Sequence, residues 1–232
     1  MIWRRAAVIG ASGGIGGALA DALERRGCET IRLSRTAAAT DHQIDLEDES
    51  SIANAAGQCA MGGALDLVIV ATGVLQPDGR PPEKSWRDLD PASLARIFAL
   101  NASGPALVAK HFLPLLPREG RAVFAALSAR VGSIGDNRLG GWYGYRASKA
   151  ALNMLLRTLA IELARKRPDA VCVGLHPGTV DTALSRPFQR NVPTDKLFTP
   201  ADSARSLLRV LDKLDPEDSG GCFAWDGQRI AP

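Results

Sequence analysis

Cysteine is scarce in this chain of 232 residues. Its four cysteines, Cys28, Cys59, Cys172 and Cys222, are far apart and include no Cys-x-x-Cys pair. This distribution excludes the usual spacings of zinc sites and of disulfide-rich frameworks. We therefore expect reduced, packed thiols and no bound metal.

Long apolar runs are absent as well. No stretch of about 18 consecutive apolar residues occurs, and the residues after Met1 lack the apolar segment and cleavage site of a secretory signal. We expect no membrane partner and a cytoplasmic location.

Charge of one sign is not concentrated anywhere. The chain has 28 basic and 25 acidic residues, and its densest basic groups, Arg4-Arg5, Arg25-Arg26 and Arg165-Lys166-Arg167, are short. Recognition of a phosphate backbone needs a clustered basic face. Nucleic acid is therefore not an expected partner.

Short apolar runs alternate with longer segments of helical period, a pattern typical of βαβ units. Strands are predicted at Ala6–Ile9, Thr30–Leu33, Leu67–Ala71, Ala122–Leu127, Val171–Leu175 and Cys222–Trp225, and helices at Gly14–Arg26, Ala147–Arg165 and Ala201–Leu214. Right-handed crossovers then give a doubly wound parallel sheet of about seven strands with helices on both faces. No linker divides the chain, so we expect residues 1–232 to form a single α/β domain.

The least regular segment, Asp181–Thr199, follows the fifth strong strand and contains Pro187 and Pro193. Loops at the carboxyl edge of such a sheet often cover a ligand. We interpret residues 181–199 as a candidate substrate-covering loop.

A glycine-rich loop follows the first strand. The sequence Gly10-Ala11-Ser12-Gly13-Gly14-Ile15-Gly16 leads directly into a helix, whose N-terminal N–H groups would face a pyrophosphate. This motif predicts a Rossmann-type dinucleotide site with Gly10, Ser12, Gly14, Ile15 and Gly16 as contacts. An ordinary glycine-rich turn is the alternative for the motif alone.

Ser34 and Arg35 end the second strand, about twenty residues further on, where such a fold meets the adenosine ribose. An acidic residue there would bind the 2′-hydroxyl of NAD, whereas Arg35 suits the 2′-phosphate of NADP. We expect NADP(H) as the cofactor. The alternative is that Arg35 is a solvated loop residue.

Tyr145 and Lys149 form a Tyr-x-x-x-Lys pair near the start of a predicted helix, so both side chains lie on one face. A nearby ammonium stabilises phenolate and lowers the tyrosine pKa from its usual value near 10. The pair is therefore a candidate acid–base centre. Taken alone, the spacing also occurs by chance.

Asn101 lies in a helix predicted to run from Pro91, capped by Asp90, to about Leu116. Pro105 has no N–H, so the Asn101 carbonyl loses its helical partner and a kink is expected. The free carbonyl would suit a water in a proton path below the tyrosine. A purely structural kink is the alternative.

In this order the motifs resemble those of the short-chain dehydrogenase/reductase family, from Ala6 to Ile230. The matching segments are the glycine loop, Asp45-Leu46, Asn101, Tyr145 with Lys149, and Pro177-Gly178-Thr179-Val180-Asp181-Thr182. Within the family, Leu127–Ile134 and Gly140–Tyr145 resemble the C-factor and sniffer-type carbonyl reductase branch.

The resemblance implies a role for each matching residue. Tyr145 would be the general acid or base, Lys149 would lower its pKa and bind the nicotinamide ribose, and Asn101 would position a relay water. Asp45 and Leu46 would contact adenine. The remaining implied cofactor contacts are Ala71, Thr72, Gly73, Pro177, Gly178, Val180 and Thr182.

The chain departs from the family pattern at two places. Val70-Ala71-Thr72-Gly73 replaces the usual Asn-Asn-Ala-Gly, which affects packing near adenine. The slot of the family's substrate-polarising serine, three residues before Gly132, holds Ala129. Our hypothesis is that Ser128 fills this role through a local bulge or turn, because regular alternation would aim it away from Tyr145. Ser133 is the weaker candidate.

The resemblance implies an NADPH-dependent oxidoreductase that reduces an aldehyde, ketone or quinone to an alcohol, or catalyses the reverse reaction. The alternatives are a dinucleotide-binding signalling protein of C-factor type with little turnover, and a scaffold without cofactor. The apolar faces of the helices around Leu107–Leu116 and Ala147–Leu163 favour a homodimer. Aromatic residues and one histidine near the tyrosine are interpreted as core rather than pocket residues: Trp86, Trp142, Tyr143, His176 and Phe188.

Overall fold

The computed structural model describes residues 3–39, 42–191, 193 and 196–232. The strands are β1 (Arg5–Ile9), β2 (Glu29–Leu33), β3 (Leu67–Val70), β4 (Ala122–Leu127), β5 (Ala170–His176), β6 (Thr179–Val180), β7 (Leu197–Phe198) and β8 (Cys222–Ala224). The α-helices are α1 (Gly14–Arg25), α2 (Glu49–Ala60), α3 (Pro91–Phe98), α4 (Gly104–Phe112), α5 (Tyr143–Lys166) and α6 (Pro200–Lys213).

Six parallel strands form the main sheet in the order β2-β1-β3-β4-β5-β8. The doubly wound α/β prediction is confirmed, and each of the six proposed strands is present within two residues. The estimate of about seven strands was too high. Beside the end of β2, Ser34 makes a single bridge with Gln43 before the chain turns towards α2. The pair β6–β7 forms a separate two-stranded sheet.

Two apolar layers pack against this sheet. One contains Leu19 and Leu23 of α1 with Leu207 and Leu211 of α6. The other is built by α2, α4 and α5, and Phe112, Leu152 and Leu156 are among its buried side chains. Both faces of the central strands are therefore covered, as their continuous apolar sequences require. The carboxyl edge of the sheet stays available for a site.

The predicted kink in the long helix is confirmed. Asp90 caps α3 by accepting a hydrogen bond from the Ser93 N–H at 2.8 Å, and α3 and α4 are joined by a π-helical turn over Ala99–Ser103. Within this turn the Gly104 N–H donates to the Ala99 carbonyl, one residue further back than in an α-helix. Asn101 therefore sits, fully buried, inside the irregular turn.

The segment Pro91–Leu115 is long and apolar enough to cross a membrane when judged by length and composition alone. In the fold it lies against α2 and α5, with Ile97, Val108 and Phe112 buried. We interpret it as a helix of the fold, because it packs against two other helices and 39% of its apolar window is buried.

Candidate active site

Two adjoining cavities open at the carboxyl edge of the sheet. The first, about 400 Å³, is lined by Gly10, Ser12, Gly13, Ser34, Arg35, Asp45, Leu46, Ala71, Thr72 and Gly73, among others. The second, about 570 Å³, is lined by Gly14, Ile15, Ser128, Ala129, Tyr145, Lys149, Pro177, Gly178, Val180 and Thr182, among others. Gly13 and the segment Ala71–Gly73 border both cavities. The two spaces are therefore neighbouring parts of one cleft.

The glycine loop connects β1 to α1, and its backbone segments approach each other so closely that side chains would not fit between them. Gly10 has a φ of +86°, and a Cβ on Gly16 would lie 2.2 Å from the Gly10 carbonyl oxygen. The first helical hydrogen bond runs from Gly17 to Gly13, and no side chain caps α1. The N–H groups at the start of α1 are thus left for an anion, as in a pyrophosphate site.

The end of β2 forms the far wall of the first cavity. Ser34 is buried there, whereas Arg35 is exposed on the rim. Asp45 has its N–H bonded to Ser51 Oγ at 3.0 Å, which fixes the Asp45-Leu46 segment against the same cavity. A cationic rim beside a glycine cradle fits a phosphorylated dinucleotide.

Thr72 supplies a further sign that a ligand belongs here. Its Oγ1 is buried and has no hydrogen-bond partner among the described residues. A buried hydroxyl without a partner is costly, so a polar group of a ligand is expected to satisfy it.

Asn101 projects from the π-helical turn into the protein interior and is not among the residues that line either cavity. Its Oδ1 accepts from the Val74 N–H at 2.8 Å, and its Nδ2 donates to the Val74 carbonyl at 2.8 Å and to Ser148 Oγ at 3.1 Å. The side chain thus ties the segment after β3 to α5. Because Pro105 lacks an N–H, the main-chain carbonyl of Asn101 has no donor four residues later in the helix.

Tyr145 and Lys149 lie together on the cleft face of α5. The Lys149 ammonium is buried, donates to the Leu127 carbonyl at 2.7 Å, and lies 5.9 Å from the centre of the Tyr145 ring. Burial raises the pKa of Tyr145 to about 12 and lowers the pKa of Lys149 to about 8. The expected lowering of the tyrosine pKa is not seen in this structure, since desolvation of phenolate dominates.

Ser128 lies on the cleft wall without the distortion proposed for it. Its N–H continues the ladder by donating to the Leu175 carbonyl at 2.8 Å, and Ala129 is still extended. The postulated bulge is therefore wrong. Regular alternation places Ser128 on the same side of the sheet as α5, which carries Tyr145, so no re-aiming is needed.

The Ser128 hydroxyl has a partner on α5. It donates to Asn153 Oδ1 at 2.6 Å. Sequence reasoning missed Asn153, although its position four residues after Lys149 would have placed it on the same helix face. Ser133, the weaker candidate, bonds instead to the Pro232 carbonyl and the Asp136 N–H.

Three of the five side chains interpreted as core line the second cavity, namely Trp142, His176 and Phe188. For them the core interpretation was wrong. Trp86 is exposed, and Tyr143 points outwards with 37% of its surface accessible. Burial, with a smaller contribution from Arg130, lowers the pKa of His176 to about 4, so the ring is neutral at pH 7. Its Nδ1 is buried without a partner in the described chain.

The proposed covering loop, residues 181–199, borders the same cavity. Thr182, Ala183, Leu184, Ser185 and Phe188 contribute to its wall. A short 3-10 helix at Arg186–Asn191 follows, and β7 leads back towards α6. Residues 192, 194 and 195 lie outside the described part of the chain.

Among the side chains that the structure describes, no group of three His, Cys, Asp or Glu residues is arranged to hold an ion. The four cysteines carry free thiols, three of them buried.

Comparison with known proteins identifies the class of this fold and site. Residues 4–193 match the family model described as short chain dehydrogenase. The chain therefore belongs to the short-chain dehydrogenase/reductase family of oxidoreductases.

Individual relatives refine this assignment. The chain is 41% identical over 144 residues to C-signal of Myxococcus xanthus, covering 62% of this chain and 81% of that protein. It is 33% identical over 234 residues to 1-hydroxy-2-glutathionyl-2-methyl-3-butene dehydrogenase of Rhodococcus sp. (strain AD45), covering 95% and 96% of the two chains.

Among solved structures, an NADPH-bound carbonyl reductase from chicken fatty liver superimposes over the full length of both chains, with a TM-score of 0.84 and 25% identity. Sniffer carbonyl reductases share the fold as well. The predicted likeness to the C-factor and sniffer-type branch is thereby confirmed.

Proposed function

We propose that this protein is an NADPH-dependent carbonyl reductase, or an alcohol dehydrogenase in the reverse direction. The observation that carries the proposal is the placement of Tyr145 and the buried Lys149 together in the wall of a cavity that adjoins the glycine-loop cavity. A titratable pair of this kind beside a dinucleotide cradle is suited to proton transfer coupled to redox chemistry.

The residues present fit a nicotinamide dinucleotide phosphate. The glycine loop and the open N-terminus of α1 would hold the pyrophosphate, Arg35 the 2′-phosphate, and Asp45 with Leu46 the adenine side. The rest of the cofactor would lie near Lys149, surrounded by Thr72, Gly73, Pro177, Gly178, Val180 and Thr182. When bound, the cofactor supplies or accepts the hydride.

Side chains of the protein would transfer the proton that the carbonyl oxygen receives. With a pKa near 12, Tyr145 is protonated at neutral pH and is ready to donate to a carbonyl oxygen. The Lys149 ammonium favours the phenolate that forms when this proton leaves. Asn101, through its main-chain carbonyl, would hold the water that returns a proton from solvent.

The cavity around Tyr145 favours a substrate with an apolar body. Trp142, Phe188, Leu75 and Val131 contribute to its wall, together with the neutral His176. Apolar walls with a few placed polar groups are typical of small-molecule sites. The names of the Rhodococcus dehydrogenase and the chicken carbonyl reductase agree with alcohol or carbonyl chemistry.

A screen of aldehydes, ketones and quinones with NADPH and NADH tests this proposal. We expect NADPH oxidation only when a carbonyl compound is added. NADPH binding without turnover across the panel would favour the alternative, a signalling protein like C-signal. If NADPH does not bind, the remaining alternative is a scaffold without cofactor.

We further propose that the protein acts in the cytoplasm as a homodimer. Met154 and Ile161 on α5 are 67% and 49% exposed, although both are apolar. Burial of these side chains against a second copy would remove them from water. Sedimentation or light scattering at several protein concentrations measures the oligomeric state.

Arg35→Ala should abolish the preference for NADPH over NADH. A charge-assisted contact between guanidinium and phosphate corresponds to about tenfold or more in affinity. Arg32→Ala is the matched control, because Arg32 is paired with Asp21 and Glu24 on the same strand–helix unit. Dissociation constants for both cofactors measure the effect, and equal affinities in the wild type would refute it.

Carbonyl reduction should slow as the pH rises through about 8. Lys149 is charged below its pKa of about 8 and neutral above it, so its support for the Tyr145 phenolate is lost on the alkaline side. The measurement is kcat/KM for the carbonyl substrate between pH 6 and 10 at saturating NADPH. A rate that stays flat across that range would contradict the role given to Lys149.

A further inference from the structure

The start of α5, the helix that carries Tyr145, has an unusual backbone. Gly140, Gly141 and Trp142 have φ values of +62°, +64° and +51°, so three successive residues are left-handed. Glycine adopts this conformation freely, but tryptophan does not. In addition, no side chain at the cap position accepts a hydrogen bond from the first turn. Something outside the helix must therefore hold this conformation.

Glu83, from the loop between β3 and α3, contacts this point twice. Its main-chain carbonyl accepts from the Trp142 N–H at 2.5 Å, and its Oε2 accepts from the Gly144 N–H at 3.2 Å. Its residual exposure is only 9%, and a Cβ at Gly144 would lie 2.9 Å from Oε1. The carboxylate thus serves as the cap of α5, supplied from a distant part of the chain.

The groups held by these two bonds face the substrate cavity. The Trp142 indole packs edge-on against Tyr145, with ring centres 6.2 Å apart, and against Phe188 at 5.0 Å. Tyr145 is the residue after Gly144, in the first turn of the helix. A shift of this turn would move both the proton donor and the indole wall.

We propose that Glu83 is a positioning residue that holds Tyr145 and Trp142 in their working orientation through its bonds to Trp142 and Gly144. The effect on catalysis rests on the proposed function, whereas the effect on the helix start does not. Glu83 touches neither cavity and acts through the backbone of α5.

Three variants of Glu83 test the proposal. All three keep the main-chain bond to Trp142 and change only the side-chain acceptor. Glu83→Ala removes that acceptor, Glu83→Asp withdraws the carboxylate by one methylene and keeps its charge, and Glu83→Gln keeps an oxygen that can accept from Gly144. Asp215→Ala is the matched control, because Asp215 caps the 3-10 helix Pro216–Asp218 by accepting from the Glu217 N–H at 3.0 Å and is not among the residues that line either cavity.

In the kinetic measurement, Glu83→Ala should lower kcat by about 10²-fold, the size expected for misplacement of a reacting group by about 1 Å. KM for the carbonyl should rise, and the dissociation constant of NADPH should not change. Glu83→Asp should also lose activity, and Glu83→Gln should restore most of it. Asp215→Ala should leave kcat unchanged.

Hydrogen–deuterium exchange of the peptide spanning residues 140–148 tests the positioning itself. Faster exchange there in Glu83→Ala and Glu83→Asp, but not in Glu83→Gln, supports the proposal even if no carbonyl is reduced and the proposed function fails. Unchanged exchange, wild-type kcat in Glu83→Ala, or a Glu83→Gln variant as impaired as Glu83→Ala would each overturn it. If Glu83→Ala does not fold, Glu83→Asp and Glu83→Gln decide the question alone.

Discussion

Tyr145→Phe should lower carbonyl turnover roughly 10²–10⁴-fold, the usual contribution of a positioned general acid. The substitution removes the only proton that the ring can donate and keeps its shape against Trp142. NADPH binding should therefore stay close to that of the wild type. Initial rates and a fluorescence titration with NADPH measure the two quantities separately.

Tyr143→Phe is the matched control for this prediction. Tyr143 lies two residues earlier in α5 and points towards solvent, so its hydroxyl should contribute nothing to turnover. If Tyr143→Phe were inactive and Tyr145→Phe active, the acid–base assignment would have to be moved to Tyr143. Lys149→Ala, by contrast, should weaken both turnover and cofactor binding.

Ser128→Ala should lower turnover by about 10²–10³-fold, the loss typical of one donor to a developing oxyanion. In the structure the Ser128 hydroxyl donates to Asn153 Oδ1. Rotation of the Asn153 amide by 180° reverses this bond, because Nδ2 then donates to Ser128 Oγ and the serine proton becomes available to a substrate. Rates of carbonyl reduction, with NADPH affinity as the reference, measure the loss.

Two further substitutions separate this role from a structural one. Ser133→Ala should leave turnover unchanged, since that hydroxyl bonds to Pro232 and Asp136. Ala129→Ser adds a hydroxyl at a second position on the cavity wall. Wild-type turnover in Ser128→Ala, together with a gain in Ala129→Ser, would show that the natural protein lacks the polarising serine.

Much of the fold could be predicted because its signals are local. Buried parallel strands are continuous apolar runs in the sequence, and the glycine-rich motif predicts the turn between the first strand and the first helix. The kink at Asn101 was also predictable, since it follows from the missing N–H of Pro105. The start of α5 was placed four residues too late, because its cap is Glu83, sixty-one residues before Gly144.

The electrostatics of the site could not be predicted from spacing. Four-residue spacing puts Tyr145 and Lys149 on one face but does not reveal that the ammonium bonds to the Leu127 carbonyl. Nor does it give the depth of burial, which raises one pKa and lowers the other. The direction in which Ser128 faces depended on which side of β4 the helix α5 covers, and this is a property of the assembled sheet.

The most direct test of the account is the transfer of deuterium from NADPH that carries deuterium at both hydrogen positions of nicotinamide C4. With a carbonyl substrate from the screen, the wild-type protein should place the label on the carbinol carbon of the alcohol, as detected by mass spectrometry. Tyr145→Phe should form almost none of this labelled product while still binding NADPH. Alcohol formed without label, or labelled alcohol formed by Tyr145→Phe at the wild-type rate, would contradict the proposed mechanism.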